Sequence, residues 1–318
     1  MELKLSGMGY LDILAAGGGI LSTVRSTRTA TEDELFEKAS GLLKQMLAHG
    51  TTTCEIKSGY GLNLDDEIKQ LRVINRLNKS SKQDVAATFM GAHAIPGEFK
   101  NNREGYIQLL INEVMPQAAK LAEFADVFCE TGAFSPDETK RILNSAREYG
   151  LKLKLHADEI DPIGGAELSA ELGAISAEHL IQASDDGIMA MAQQQVIAVL
   201  LPATSLYLDK PFARARYMIE QGVAVAISTD FNPGSSPNFN LQLPMSLACI
   251  KYKLTPAEAL TAVTLNAAAA INRANLLGGA EVGKQADIVI WNCPDLNFLF
   301  YRYGNNQVHT VIKKGEIV

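Results

Sequence analysis

Four side chains of the kinds that bind metals or transfer protons come at the ends of four separate apolar segments. They are His93 in FMGAHAIPG, His156 in LKLKLHADEI, His179 in GAISAEHL and Asp230 in VAVAISTDFNPG. A single buried histidine is usually a satisfied core side chain. Four such residues at strand ends instead indicate a functional site, because parallel strands bring their carboxyl ends to one rim. The chemistry expected at this rim is metal binding or proton transfer.

Polar residues in three further segments are predicted to lie on the same rim. Glu159 lies three residues after His156, on the turn that leaves the strand, where it can give or accept a proton. The alternative is that it belongs to the acidic start of the next helix. Tyr60 in KSGYGLN and the segment Asn232-Pro233-Gly234-Ser235 follow two other strands and, taken alone, are typical of turns.

The elements that must position these residues alternate regularly along the chain. Short apolar, β-branched segments predict seven strands, over 51–57, 85–93, 125–130, 151–156, 174–179, 196–203 and 223–230. Helical spacing of apolar residues predicts seven helices, over 31–49, 64–77, 102–122, 136–149, 163–172, 183–192 and 211–221. Capping boxes mark the starts of two of these helices, Thr31 with Glu34 and Ser135 with Glu138.

Regular alternation with strands this apolar predicts an α/β fold in which helices cover a parallel sheet. The sheet could be open and doubly wound, or it could form a barrel. The segment Gly17-Gly18-Gly19 lacks the spacing of a nucleotide-binding loop, and ionisable residues end several strands, so a TIM-like (β/α) barrel is favoured. Two late segments, VGKQADIVIW and VHTVIKKGEIV, predict antiparallel strands. We therefore expect a barrel domain over 1–275 and a small C-terminal β appendage over 276–318.

Composition places the chain among globular proteins and disfavours several classes of partner. The 318 residues carry 29 basic and 36 acidic side chains, so the basic surface that binds nucleic acid or anionic membranes is not expected. The four cysteines form no C-x-x-C pair, and no apolar run reaches the ~18 residues of a membrane span. Glu2, Lys4 and Asp12 stand where a signal peptide would be apolar. These features predict a soluble cytoplasmic protein with reduced thiols and a small-molecule partner.

Seven segments stand in a characteristic order: AAGGGILSTVRSTR, CEIKSGYGL, FMGAHAIP, KLHADEI, ISAEHL, ISTDFNPGSSP and VGKQADIVIW. Taken together, they resemble the imidazolonepropionases, the amidohydrolase-superfamily family of histidine degradation. The resemblance runs from about Leu3 to Val318, and KSGYGL and STDFNPGSS are its diagnostic parts. It implies a hydrolase that opens the ring of 4-imidazolone-5-propanoate to N-formimidoyl-L-glutamate, with one zinc or iron ion as cofactor.

The resemblance also implies roles for residues of this sequence. It implies that His156 and Asp230 bind the metal and that His179 assists near the water and the carbonyl. The substrate would be surrounded by Tyr60, His93, Glu159, Asn232, Gly234 and Ser235. A divalent cation would activate water and polarise the ring carbonyl. Asp230 would then take a proton from the water, His179 would stabilise the oxyanion and Glu159 would protonate the departing ring nitrogen.

One part of the family pattern is missing from the sequence. Members begin with a small β segment and a first barrel strand that ends in His-x-His, followed by an arginine for the substrate's carboxylate. No His-x-His occurs in this sequence, and Met1 comes after the place where the segment should be. We therefore expect a barrel without the first of its eight strands and with open edges on the two neighbouring strands. Such a chain should aggregate or rely on a partner, for example a second copy in a homodimer.

The missing motif has two possible explanations, and the substrate is not fixed by the sequence. The chain is a shortened form or gene model of a normal enzyme, or it has lost the reaction and serves only in binding or assembly. Within the enzyme class, another cyclic amide such as a pyrimidine or a hydantoin-like ring stays open, because fold and metal site do not fix the substrate.

Overall fold

The computed structural model describes residues 19–318, and its main feature is a seven-stranded parallel sheet that curls into a half-barrel. Each strand pairs with the next along the chain, so the sheet order is the sequence order. The strands are β1 (Thr53–Lys57), β2 (Asp84–Ala92), β3 (Phe124–Cys129), β4 (Lys152–Ala157), β5 (Ser176–His179), β6 (Ile197–Leu200) and β7 (Val225–Ile227). All seven predicted strands are present, and the predicted α/β fold of TIM-like type is confirmed.

Helices alternate with the strands. They are α1 (Ile20–Thr29), α2 (Glu32–Ala48), α3 (Leu64–Ser80), α4 (Arg103–Leu109), α5 (Met115–Ala118), α6 (Pro136–Glu148), α7 (Gly165–Glu171), α8 (Asp185–Gln194), α9 (Pro202–Leu208), α10 (Ala215–Glu220), α11 (Gln242–Tyr252), α12 (Pro256–Val263), α13 (Leu265–Ala270) and α14 (Leu296–Tyr301). A π-helical turn, Leu110–Val114, joins α4 to α5. Both predicted capping boxes are formed, at the starts of α2 and α6. Within residues 19–318 no helix is both long enough and apolar enough to cross a membrane.

The two faces of the sheet differ in chemistry. On β4, Leu153 and Leu155 belong to the main apolar core, whereas Lys154 and His156 bond to other strands across the interior of the half-barrel. This alternation follows from the two-residue period of a strand. A second apolar cluster packs α13 against β6 and β7, and its buried members are Ile197, Val199, Leu201, Ala226 and Ala270. The interior is therefore polar towards β1–β5 and apolar towards β6 and β7.

Two strand edges stay open among the described residues. β1 pairs only with β2, and β7 pairs only with β6. The side chain of Asn266 donates to the carbonyl of Val225 at 2.8 Å and satisfies one acceptor on β7. All five residues of β1 are only partly buried, whereas every residue of β5 and β6 is buried. The expected open place between the two edge strands is thus confirmed for this part of the chain, while aggregation and dimer formation stay predictions.

The C-terminal segment forms a three-stranded antiparallel sheet of β8 (Ile288–Trp291), β9 (Val308–Lys313) and β10 (Glu316–Ile317), as predicted. An ion cluster joins this small sheet to the barrel. Nζ of Lys313 lies 2.7 Å from a carboxylate oxygen of Asp84 and 2.6 Å from one of Asp287, and Nζ of Lys314 lies 2.6 Å from Asp84. Because Asp84 begins β2, the cluster holds the small sheet against the amino end of the barrel. A domain boundary between residues 275 and 276 stays a prediction.

We expect Asp84→Asn to lower the free energy of unfolding by about 1 kcal/mol at neutral pH, after allowance for solvent screening of this partly exposed group. Burial raises the pKa of Asp84, but the bonds from Lys313, Lys314 and Gln285 outweigh burial and lower it to about 2. Because this value lies below that of the unfolded chain, the stabilisation is present above the unfolded pKa and is lost as the pH falls towards 2.

Urea unfolding of both proteins at several pH values measures this difference. The control is Asp33→Asn, whose ion pair with Arg76 is largely exposed and should contribute almost nothing. Equal losses at the two positions, or a loss at Asp84 that does not shrink with acid, would contradict the assignment.

Candidate active site

Four of the predicted site residues form a row of rings along the carboxyl rim of the half-barrel. His156 is the fifth residue of β4 and His179 the last of β5, and their ring centroids are 5.2 Å apart. His93 comes directly after β2, with its ring 6.4 Å from that of His156. The ring of Tyr60, in the loop after β1, lies 5.2 Å from that of His93. The parallel register pairs His156 with Glu178 and Ala157 with His179, so the two histidines lie on neighbouring strands one position apart.

The backbone enters the left-handed region where three strands end. The φ angle is +49° at Asp158, +70° at His179 and +49° at Asp230. On a regular strand His179 would point away from the face of Glu178, whose carboxylate bonds to Lys57 in the interior. Its left-handed backbone instead allows the ring to lie beside that of His156. Non-glycine residues in this region are strained, and such strain is concentrated at functional sites.

Two carboxylates interact with His179, Glu159 at close range and Asp230 through its charge. Oε2 of Glu159 is 3.6 Å from Nε2 of His179, and Oδ2 of Asp230 accepts a 2.6 Å bond from the Thr204 hydroxyl. Burial raises the pKa of both carboxyls, although the charge of His156 partly opposes it. Burial also lowers the pKa of His179 to about 4, so this imidazole is neutral near pH 7. The structure therefore brings the imidazoles and carboxylates of three strand ends into one group.

The start of α7 depends on Asp158 rather than on Glu159. The Asp158 carboxylate accepts hydrogen bonds from four successive backbone N–H groups, at distances of 2.8 to 3.1 Å; the donors are Ile163, Gly164, Gly165 and Ala166. These are the donors that a helix start leaves without partners. Glu159 is thus free of this structural role, and its carboxylate lies beside His179 instead.

The turn after β7 is held by the side-chain amide of Asn232. Its Oδ1 accepts from the N–H groups of Gly234 at 2.9 Å and Ser235 at 2.8 Å. Its Nδ2 donates to the backbone carbonyl of Asp230 at 2.8 Å. The turn therefore helps to place Asp230, while contact of Asn232, Gly234 and Ser235 with a substrate stays a prediction.

A buried carboxylate also holds the loop in the KSGYGL motif. Glu67 accepts bonds from the N–H groups of Gly59, Gly61 and Leu62 at 2.8 to 3.0 Å. Gly59 has a φ of +102°, and a Cβ there would lie 2.8 Å from the carbonyl oxygen of Met90. The motif therefore needs glycine at this position, and the loop between these bonds carries Tyr60.

Beside the histidines, charged side chains from four strands form an interior ion cluster of Glu55, Lys57, Asp126, Lys154 and Glu178. Nζ of Lys57 lies 2.5 Å from Asp126 and 2.8 Å from Glu178. Nζ of Lys154 lies 2.8 Å from Glu55 and 3.3 Å from Glu178. The ammonium of Lys57 thus joins β1 to β3 and β5, and that of Lys154 joins β4 to β1, although these strands do not pair with each other.

Asp126 connects this cluster to the rim. Its Oδ1 is 3.0 Å from Nδ1 of His156. Burial raises the pKa of Asp126, but the charges of His156 and Lys57 outweigh burial and hold it well below its usual range. Burial would lower the pKa of His156, yet the neighbouring Asp126 carboxylate raises it to about 9. The bond to Nδ1 leaves Nε2 as the ring atom that is available to another ligand.

Two sets of side chains in this region could hold a divalent cation, and both include His156. In the first, ligand atoms of Asp126, His156 and Glu178 all lie within 4.8 Å of one another. The ammonium of Lys57 already bonds to both of those carboxylates, so a cation would have to displace it. The second set is His156, His179 and Asp230, whose nitrogen and oxygen donors suit zinc or iron. Among residues 19–318 only the first set has donor atoms that all lie within 4.8 Å of one another, so cation binding by the rim set stays a prediction.

The residues that hold the site in place are not among those predicted from the sequence. The sequence does carry a signal for the ion cluster: TCEIK and KLKLH alternate charged and apolar residues in strands that are otherwise apolar. Glu178 is likewise a charged residue in an otherwise apolar strand, directly before His179. Glu67 has no comparable signal, because an acidic residue in a helix is most often on the surface.

Comparison with known proteins identifies the family. The amidohydrolase family model matches residues 8–318. Two curated relatives are both named imidazolonepropionase. The relative from Treponema denticola is 55% identical, and the alignment covers 100% of this chain and 78% of that protein. The relative from Thermoanaerobacter pseudethanolicus is 54% identical over 99% of this chain and 77% of its own length.

Solved structures support the same fold at lower identity. An N-isopropylammelide isopropylaminohydrolase from Burkholderia multivorans has a TM-score of 0.71 at 19% identity, covering 95% of this chain and 80% of that chain. A zinc-bound adenosine deaminase from Xanthomonas campestris has a TM-score of 0.66 at 20% identity, covering 91% of this chain and 70% of that chain. From the family match and the identity to its curated relatives, this chain belongs to the imidazolonepropionase family of amidohydrolases.

Proposed function

We propose that this chain hydrolyses the cyclic amide of 4-imidazolone-5-propanoate to N-formimidoyl-L-glutamate with one divalent cation. The observation that carries the proposal is the group at the rim, where His156, His179 and Asp230 come from three strand ends and Glu159 lies beside them. Relatives that share 54–55% of the aligned residues are named for this activity. The amidohydrolase fold agrees with hydrolysis of a C–N bond in a ring.

His156 and Asp230 are the proposed ligands of the cation, and their donors suit zinc and iron alike. When bound, the cation supplies a polarised ring carbonyl and a water acidic enough to ionise near neutral pH. Asp126 orients the His156 ring from the opposite side. Its carboxylate bonds to Nδ1 of His156, so Nε2 is the nitrogen that would face the cation.

The proton transfers are assigned to side chains of this chain. The Asp230 carboxylate accepts a proton from the attacking water, and neutral His179 donates a hydrogen bond to the carbonyl oxygen as negative charge develops. As the new C–O bond forms, the ring C–N bond breaks and Glu159 gives its proton to the departing nitrogen. Burial raises the pKa of Glu159, which favours the protonated form that this step needs.

The planar substrate ring is proposed to lie against the rings at the rim. Tyr60 and His93 contact each other edge to face, with centroids 5.2 Å apart, so the face of one of these rings is proposed to stack on the substrate ring. Asn232, Gly234 and Ser235 are proposed to contact the substrate from the opposite turn. Together these residues would orient the amide towards Asp230 and Glu159.

The function is tested by measuring bound metal and the loss of imidazolone absorbance on the same purified protein. We expect about one zinc or iron ion per chain and turnover that a chelator abolishes. Hydantoin and dihydropyrimidine rings are assayed in parallel. Folded protein without metal and without turnover would identify a silent homologue, whereas hydrolysis of another ring alone would identify a different amidohydrolase.

Glu159→Gln should lower kcat by about 100-fold or more, because glutamine cannot give a proton to the departing nitrogen. Metal content should be unchanged, since Glu159 is not a proposed ligand. The matched control is Glu258→Gln, which removes a carboxylate that bonds Arg216 and the start of α12, outside the rim group. Unchanged turnover in Glu159→Gln would remove this residue from the mechanism.

Asp126→Asn should weaken metal binding by about 10-fold to 100-fold, because a neutral amide holds the His156 ring less firmly. Competition with a chromophoric chelator measures the affinity, and thermal unfolding shows that the variant is folded. Asp287→Asn is the control, since it breaks a comparable carboxylate–lysine contact with Lys313 in the small sheet. If both variants bound metal as tightly as the parent protein, Asp126 would have no part in orienting His156.

A further inference from the structure

The loop that carries Glu159 is anchored on both sides by buried carboxylates. On one side Asp158 holds the start of α7 through four backbone N–H groups. On the other side Glu130, the residue directly after β3, reaches across from the neighbouring strand. Its Oε2 accepts from the N–H of Ile160 at 2.8 Å, and its Oε1 accepts from the N–H of Asp161 at 3.2 Å.

The burial of Glu130 calls for an explanation. Its relative exposure is 1%, and no ion pair joins it to any residue from 19 to 318. Its bonds come from the N–H groups of Ile160, Asp161 and Thr131, the last at 2.7 Å. Burial raises the pKa of this carboxyl, and the nearby charge of Glu159 adds to the rise. A carboxylate that is buried without a cation is unfavourable unless hydrogen bonds satisfy it. Here three backbone N–H groups satisfy it, and the carboxylate in turn orders the backbone that carries them.

We propose that Glu130 is a positioning residue that fixes the backbone of residues 160 and 161 so that the Glu159 carboxylate stays beside His179. The Ile160 N–H belongs to the peptide that directly follows Glu159, so a bond there restricts the Cα from which that side chain extends. The carboxylate oxygen of Glu159 is 3.6 Å from Nε2 of His179. Misplacement of a reacting group by about 1 Å can reduce a rate by up to about 100-fold. The inference rests on the proposed role of Glu159 as proton donor.

Two variants of Glu130 distinguish an effect of the position of its carboxylate from an effect of its charge. Glu130→Gln keeps the size of the side chain but turns an NH₂ group towards N–H donors, so at least one bond is lost. Glu130→Asp keeps the charge but is one methylene shorter. If position is what matters, both variants should lower kcat by about ten-fold, with KM within about two-fold of the parent value and metal content unchanged. A kcat that falls in Glu130→Gln but not in Glu130→Asp would point to charge alone and would overturn the proposal.

A double-mutant cycle with Glu159→Gln tests whether Glu130 acts through Glu159. The ten-fold loss should vanish when Glu130→Gln is made in the Glu159→Gln background, because the group that it positions is already disabled. The same loss in both backgrounds would show that Glu130 acts elsewhere. Glu258→Gln, which also removes a carboxylate that accepts a backbone N–H, is the control and should leave kcat unchanged.

Hydrogen exchange gives a readout that does not depend on turnover. Amides in a peptide spanning residues 158–163 should exchange faster in Glu130→Gln than in the parent protein, and Glu258→Gln should not change them. Unchanged exchange there would overturn the positioning role whatever the activity. If the parent protein did not hydrolyse imidazolone, the proposed function would fail separately, and exchange would still decide whether Glu130 orders the loop. Should Glu130→Gln not fold, Glu130→Asp is measured in the same way.

Discussion

The half-barrel depends on a set of buried and partly buried charges that lies inside it on the side of β1–β5. Three carboxylates and two ammonium groups bond across the interior, and each carboxylate contacts at least one ammonium group, so that the charges of the cluster compensate one another. Lys57 reaches from β1 to Asp126 and Glu178, and Lys154 reaches back to Glu55. Among residues 19–318, β1 has a hydrogen-bonded neighbour on one side only, and these ion pairs tie it to the rest of the sheet. Because Asp126 also bonds His156, the same cluster supports the fold and orients the proposed metal ligand.

The rim loops share a second constraint. Where a strand ends, consecutive backbone N–H groups lose their ladder partners and need other acceptors. Side-chain oxygens supply them here: Glu67 for the loop of Tyr60, Glu130 and Asp158 for the loop of Glu159, and Asn232 for the turn after Asp230. Apart from Asn232, the residues that position the groups proposed to contact substrate are not themselves expected to touch it.

Much of the fold could be predicted from local patterns, and the differences have local reasons as well. The strand predicted over 223–230 is shorter in the structure, Val225–Ile227, because β6, its partner among the described residues, itself ends at Leu200. The helix predicted over 102–122 is interrupted by the π-helical turn at Leu110–Val114, next to Pro116, which has no N–H to donate. The spacing of apolar residues predicts neither the early strand end nor the π-helical turn. It indicates which face of an element is buried and not which backbone hydrogen bonds form.

The sequence by itself determined the order of strands and helices, the helix caps and the residue types that stand at the strand ends, because all of these depend on neighbours within a few positions. Only the tertiary structure decided which groups meet and which way they face. The left-handed backbone of His179 turns its ring to the rim, and the bond from Asp126 selects one nitrogen of His156. Both depend on contacts between strands that are distant in the chain, where periodicity carries no information.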